Sequence, residues 1–143
     1  MDLVETIMDS QEDKRYIETK FLHSLIKGVR NVFLLWLLSK EKMHGYAIIS
    51  KINEIYKCMG EKVVHGSTIY PLLHSLEKDG LIISSEGYNG NHKVKMYEIT
   101  EKGVATLNSI KKVIKQRPEN DTLMLYLDEM LFNDEEFVYE GGG

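Results

Sequence analysis

The sequence predicts a mainly α fold carrying one small β-hairpin, an α+β class with additional helices at both termini. Apolar residues recur at helical spacing in several stretches, each bounded by glycine or by a charged break. After Gly80 that period gives way to strand-like runs on either side of Asn89-Gly90, the pairing signal of a hairpin. A chain of 143 residues is long enough to bury a core of its own.

Residues 1–20 are expected to form an acidic helical extension, with Leu3, Ile7 and Met8 as a partial stripe among many charges. From 20 to 39 the stripe strengthens through Phe21, Leu22, Leu25, Ile26, Val29, Val32, Phe33, Trp36 and Leu37. Leu34, Leu35 and Leu38 make its second half apolar nearly all round, so that half is expected to be buried as the central support. Trp36 reads as core or as part of a seam between subunits. Lys40-Glu41-Lys42 breaks the helix. Met43-His44-Gly45 begins a second one, which runs to about Met59 through Ala47, Ile48, Ile52 and Ile55, with His44 serving its start. Gly60 ends it and residues 61–64 cross over.

A third helix is expected over residues 67–79. Ile69, Leu72, Leu73 and Leu76 fall within one arc of ~100°, the width of a core-facing stripe. Pro71, His74 and Lys78 lie opposite, with Tyr70 and Ser75 at the edges and Glu77 to the side, so the outer face carries no acid. Ser67 or Thr68 is the expected N-cap; with Thr68 there, Pro71 falls in the first turn, where its missing N–H costs nothing. Asp79-Gly80 closes the helix at a C′ glycine. Two short helices joined by a brief turn make a helix-turn-helix, and the second presents a face that a DNA major groove admits.

Residues 81–86 then run apolar to polar, 87–92 carry turn residues centred on Asn-Gly, and 93–99 form a second strand. Tyr97 and Ile99 share one face, which Lys93 and Lys95 extend towards the tip. A hairpin in this position is a wing, and His92, Lys93 and Lys95 are its candidates for contact with a phosphate backbone or minor groove. Thr100-Glu101-Lys102-Gly103 caps the next helix, which passes through Val104, Leu107, Ile110 and Ile114 to about Arg117. Lys111, Lys112, Lys115 and Arg117 complement its dipole. Pro118 breaks it. Asp121 caps a last helix, 122 to about 132, whose stripe of Leu123, Met124, Leu127, Met130 and Leu131 needs a cover that a second copy would supply.

Charge sharpens this division. Residues 1–20 carry 3 basic and 6 acidic side chains, residues 21–117 carry 15 and 8, and residues 118–143 carry none and 8. The net charge of −4 therefore conceals a basic middle between acidic flanks, and the local field decides which partner is drawn in. The expected organisation is an N-terminal extension (1–20), a winged helix-turn-helix (21–117), and a dimerisation helix with a disordered tail (118–143). The longest unbroken apolar run, residues 32–38, is too short to span a membrane. The lone Cys58 forms no intrachain disulfide, which fits a reducing cytoplasm, and no metal ligand spacing surrounds it. Catalytic parts are missing: there is no nucleophile elbow, phosphate-cradling glycine loop or paired carboxylates, and the five histidines are scattered. No enzyme, cofactor or metal is expected.

Taken together, Leu34-Leu35-Trp36-Leu37-Leu38, His44-Gly45-Tyr46, Thr68-Ile69-Tyr70-Pro71-Leu72-Leu73, Leu76-Glu77-Lys78-Asp79-Gly80-Leu81-Ile82 and Tyr97-Glu98-Ile99-Thr100-Glu101-Lys102-Gly103 resemble the PadR family of winged-helix transcriptional regulators. The resemblance covers about residues 30–110. It implies a homodimeric repressor on a partly palindromic operator in double-stranded DNA, read by the start of the recognition helix and the wing. Carried over by position, Ser67, Thr68, Tyr70 and His74 lie on that helix, Lys93 and Lys95 on the wing; Ser75, Lys78 and His92 complete the expected interface. The family dimerises through C-terminal helices. Here the expected set is Leu123, Met124, Leu127, Met130 and Leu131, together with Phe21, Leu22 and Leu25 of the support helix. Some relatives bind phenolic acids or flat apolar drugs between subunits, so a small aromatic effector is implied but not identified.

The chain departs from the family pattern in three places. His65-Gly66-Ser67 stands where Pro-Gly or Ser-Pro-Gly is common, the wing tip has Asn91-His92-Lys93 instead of an arginine run, and the acidic N-terminal extension is additional. Two alternatives stay open at this stage. Tyr70 either donates to a phosphate or packs against the neighbouring helix. The acidic flanks leave room for a winged helix that contacts protein rather than DNA.

Overall fold

The computed structural model describes residues 3–116 and 121–141. Among them the chain forms five α-helices, one π-helical turn and a three-stranded antiparallel sheet. α1 (Leu3–Lys40) is a single helix, so the boundary expected at residue 20 falls inside it. The reason is the lack of a stop: it contains no proline, and its one glycine, Gly28, costs only about 1 kcal/mol. Its second half gives Ile26, Leu34, Leu35, Leu37 and Leu38 to the core. Trp36 is not core. It is 46% exposed, with its ring 5.7 Å from Phe33 and Lys40 Nζ 5.3 Å from its centroid.

By length and composition alone, Ser10–Lys40 includes an 18-residue window, of mean hydropathy 1.3, that is apolar enough to cross a membrane. A count of unbroken apolar runs misses it because a few charges are spaced through it. In this fold 28% of that window is buried; α1 gives five residues to the core, while Phe21, Leu25, Val29, Val32 and Trp36 stay exposed.

β1 (Met43–His44) is a strand where the sequence predicts the start of a helix; Met43 pairs with Tyr97 and His44 with Met96. Two residues have no period to read, so only the partner strand reveals them. α2 (Gly45–Cys58) follows and buries Ile48, Ile52 and Tyr56. Arg30 Nη1 donates to the Tyr56 hydroxyl at 3.2 Å, joining α1 to α2. α2 and α3 (Gly66–Lys78) end alike. Gly60 and Gly80 take φ of +74° and +77°. Their N–H groups donate to the carbonyls of Lys57 and Glu77, while Glu61 and Leu81 donate to Tyr56 and Leu76. These paired bonds satisfy carbonyls that a helix end otherwise leaves bare.

β2 (Ile82–Asn89) and β3 (His92–Ile99) pair in register from Ile82↔Ile99 to Asn89↔His92, and β3 lies between β1 and β2. The turn is shorter than expected. Only Gly90 and Asn91 connect the strands, with Gly90 at φ +65° in the first central position of a two-residue loop. Gly87, Tyr88, Asn89 and His92 are therefore strand residues.

The return to α4 (Glu101–Lys115) fastens the end of α3. The Thr100 hydroxyl donates to the Gly80 carbonyl at 2.7 Å and accepts from Gly103 N–H at 3.0 Å, while Lys102 Nζ donates to the Asp79 carbonyl at 2.7 Å. Thus Thr100 caps α4, as the sequence predicts, and holds α3 in the same contact. Gly103 is buried where a side chain has no room: a Cβ there would lie 2.2 Å from the Leu81 carbonyl oxygen and 2.6 Å from Ile99 Cγ1.

The chain divides into two compact units, Met1–Leu107 and Asn108–Gly143, and the division falls within α4. The first holds the core of Ile26, Leu34, Leu38, Ile48, Ile52, Ile69, Leu73 and Ile82, all under 2% exposed. In the second, Asp121 caps α5 (Thr122–Leu127) by accepting from Leu123 N–H at 2.8 Å, and a π-helical turn continues over Asp128–Phe132. Residues 133–141 have no regular secondary structure. Arg117 and Pro118, expected to end α4, lie outside the described residues.

Gly103→Ala is expected to lower unfolding free energy by about 3 kcal/mol, the upper end for overpacking, because the obstacle is backbone. Urea denaturation followed by circular dichroism measures it.

Candidate nucleic-acid interface

The interface is built from the start of α3 outwards. The helix begins at Gly66 and its N-cap is His65, not Ser67 or Thr68, and the His65 side chain makes no capping bond. Pro71 is consequently the sixth helical residue, inside the helix rather than in its first turn. The shift follows from Gly66, which lacks a side chain and so lets the chain turn helical early against its neighbour. That neighbour is the ring of Tyr70. A Cβ on Gly66 would sit 2.7 Å from Tyr70 Cε2, and a Cβ on Gly45 would sit 2.7 Å from both Cε1 and Oη. Tyr70 is thus slotted between two glycines, one from each helix of the pair. Its ring is a packing element, and at 40% exposure one side still meets solvent.

Asn53 fixes the turn between the helices. Its Nδ2 donates to the Val64 carbonyl at 2.9 Å and its Oδ1 accepts from Val64 N–H at 2.7 Å. The sequence signal for it was a lone amide in the apolar run of α2, which the helical stripe alone passes over. His44 Nδ1 accepts from Ala47 N–H at 3.1 Å, so it caps α2 as expected.

α3 buries Ile69, Leu73 and Leu76 and exposes Ser67, Tyr70, Pro71, His74, Ser75 and Lys78, with Thr68 half-buried. Glu77, its one acid, is half-buried and accepts a hydrogen bond from the Ser84 hydroxyl, so its carboxylate is engaged with β2. On the wing, alternation places Tyr88, Glu86, Lys93 and Lys95 on the face that continues inward to Tyr97 and Ile82. His92 falls on the opposite face, so it does not join Lys93 and Lys95. The two lysines also differ. Lys93 Nζ pairs with Glu86 at 2.9 Å, whereas Lys95 Nζ lies 5.6 Å from the Tyr97 ring centroid. The pairing of Lys93 could be anticipated only from the register, which the expected longer turn would have changed.

Between α2 and β3 lies a cleft of about 220 Å³ whose walls include His44, Gly45, Tyr70, Val94, Lys95 and Tyr97. Burial raises the Tyr97 phenol above the ordinary tyrosine value, assisted by the nearby Tyr70 and Glu77. No group of three or more His, Cys, Asp or Glu able to hold a metal occurs among the described residues, and Cys58 is exposed.

Of the residues expected at a subunit contact, Phe21 and Leu25 are exposed on α1 and Leu22 is half-buried. In the second unit Leu123, Met124 and Leu127 are half-buried, while Met130 and Leu131 are exposed.

The model of the family described as transcriptional regulator PadR-like matches residues 34–109, more than half of the chain. The chain belongs to the PadR-like family. It is a DNA-binding transcriptional regulator of mainly α, winged-helix fold. A PadR-family regulator from Eggerthella lenta superimposes with a TM-score of 0.62 at 22% identity, over 86% of this chain and 99% of that one. A PadR-like regulator from Bacillus cereus gives 0.60 at 26% identity, over 78% and 99%. A transcriptional regulator from Clostridium thermocellum gives 0.55 at 23%, over 77% and 96%. No curated protein matches the sequence. Within this PadR-like chain the family match begins at residue 34, so most of α1 precedes it.

Gly45→Ala is expected to cost about 1–3 kcal/mol of stability by displacing the Tyr70 ring. Tyr70→Ala should then cost less in that background than alone; additive losses in a double-mutant cycle would contradict the seating. Tyr97 supplies a pH dependence. Its folded value lies above the unfolded one, so its contribution is complete below about pH 10 and is lost as pH rises through the folded value. Unfolding free energy of Tyr97→Phe should therefore fall less steeply above pH 10 than that of the parent protein.

Proposed function

We propose that this PadR-like regulator is a repressor that acts as a homodimer on a partly palindromic operator, reading it with residues 67–79 and bracing it with the wing over 81–99. The observation that carries the reading is the outer face of α3. It is exposed from Ser67 to Lys78, contains no free acid, and stands next to a wing whose inward face carries Lys93 and Lys95. Ser67, Thr68, His74 and Ser75 are assigned to base edges and nearby sugar-phosphate, and Lys78, Lys93 and Lys95 to phosphates; His92 is at most a contact from the far side of the wing tip.

Dimerisation has support in each unit separately. Phe21 is 71% exposed on α1, and Leu131 is 66% exposed in the π-helical turn. Runs of apolar side chains left in water mark association surfaces, and a two-fold pair would place its recognition helices ~34 Å apart, one turn of DNA. Residues 118–143 are assigned to this contact and residues 1–20 to an extension of α1. The protein acts in the cytoplasm, without enzymatic activity or a resident cofactor, and a small aromatic effector would belong between subunits. A monomer mass by light scattering at micromolar concentration would sink the dimer.

Fluorescence anisotropy on DNA from upstream of its own gene, with a scrambled duplex as control, tests the operator reading; preference for the native fragment with strong salt dependence is expected. Loss of discrimination at every salt concentration would instead favour a winged helix that works on a protein partner. Within that assay the two lysines should differ. Lys95→Ala is expected to reduce the salt slope by roughly 0.9, one phosphate's worth, and Lys93→Ala by less because Glu86 already pairs with it. Glu86→Gln should tighten binding. His74→Ala should alter base preference and leave the slope unchanged.

A further inference from the structure

We propose that the cleft between the start of α2 and β3 seats one backbone phosphate of the bound DNA, held by the His44 imidazole N–H, the Tyr97 hydroxyl and the Lys95 ammonium. The inference rests on the DNA-binding reading and adds a contact on the helix-turn-helix side of the wing, away from the outer face of α3.

Size points to the ligand first. At about 220 Å³ the cleft is below the ~300–1,000 Å³ typical of small-molecule sites, which disfavours a drug-sized effector. Its chemistry is that of an anion site. His44 Nδ1 accepts from Ala47 N–H, which leaves the ring proton on Nε2, and Nε2–H has no hydrogen-bond partner among the described residues. The histidine is thereby fixed as a donor. Lys95 contributes a full positive charge, with its Nζ over the Tyr97 ring. Gly45, the first residue of α2, lines the cleft, and the first turn of α2 contains no acidic residue to occupy the positive end of its dipole.

Tyr97 is the decisive group. It is only 3% exposed, lines the cleft, and its hydroxyl makes no hydrogen bond to any described residue. No side-chain nitrogen or oxygen among the described residues is both sealed from solvent and without a partner, so the Tyr97 hydroxyl still meets solvent and is free to donate its proton to an acceptor there. A phosphate oxygen is such an acceptor. No acid lines the cleft; Glu77, which is close enough to influence Tyr97, is bonded to Ser84 and is not part of the wall. Tyr70 also lines the cleft and is seated between the two glycines.

Two substitutions remove donors and keep the scaffold. Tyr97→Phe deletes one hydroxyl without changing the ring, and His44→Ser keeps a side-chain oxygen for Ala47 N–H while removing the imidazole. A duplex selected from a random library by the parent protein is remade with a single neutral methylphosphonate at each phosphate in turn. One position per half-site should weaken the parent roughly tenfold, the value of one hydrogen bond to a charged group. The same position should leave both variants nearly unaffected, because they have already lost that contact; every other position should act alike on all three. Equal unfolding midpoints at neutral pH confirm that the variants fold. If the parent selects a site and both variants reproduce its affinity and its full profile, the cleft does not seat a phosphate, while the DNA-binding reading stands. If the parent enriches no sequence and binds no duplex at low salt, the DNA-binding reading fails and the phosphate seat fails with it.

Discussion

The seating of the Tyr70 ring between Gly45 and Gly66 is the constraint on which the DNA-facing side depends. It sets how closely the first residues of α2 and α3 approach, because any side chain at either glycine would meet the ring. It also explains why α3 can start at Gly66, two or three residues earlier than a cap at Ser67 or Thr68 would place it. With the ring in place, α2 offers its N-terminus to the wing and α3 turns Ser67, His74 and Ser75 outward. The glycine of His44-Gly45-Tyr46 and the tyrosine of Ile69-Tyr70-Pro71 are thus two halves of one contact.

The other end of α3 is held by different chemistry. Gly80 in a left-handed conformation closes the helix, and Thr100 and Lys102 reach back to the carbonyls of Gly80 and Asp79. Between these ends, Asn53 spans the turn and Ser84 engages Glu77. α3 is therefore positioned by hydrogen bonds at its far end and sides and by ring packing at its near end. Burial of Ile69, Leu73 and Leu76 supplies the bulk of its attachment, at about 1.5–3 kcal/mol for each large apolar side chain. Polar groups orient it.

Much of this was legible in the residues. The apolar stripe of α3, its closing glycine, the hairpin with lysines extending the Tyr97 face, and the caps His44, Thr100 and Asp121 were all read from spacing and side-chain chemistry. The misses have physical causes. A two-residue strand such as β1 carries no period and exists only through Tyr97 and Met96. The charges of residues 1–20 interrupt a stripe without supplying a stop, so a continuous α1 looked like two segments. At the N-cap, Ser67 and Thr68 have the right side chains, but a glycine that accommodates a ring one turn later moved the start to His65. Turn chemistry centred on Asn89-Gly90 predicts a longer wing turn than the observed Gly90-Asn91 loop, and the observed register changes which residues pair and puts His92 on the other face. Neither the Lys93–Glu86 pair nor the cleft could be read without that register.

The two residues of β1 have a consequence for how binding and folding are linked. Met43–Tyr97 pairing joins positions far apart in sequence, and closing such a loop is an entropic cost that short-range helix contacts do not carry. An isolated thirteen-residue helix with a proline inside it would be marginal in water, since helices shorter than ~12–15 residues rarely persist alone. The recognition surface is therefore a state of the closed domain and not a property of one helix. Whatever occupies that surface draws the folding equilibrium towards closure. Conversely, loosening β1 raises the population of open chains and lowers affinity from a distance, without touching a single contact to the ligand.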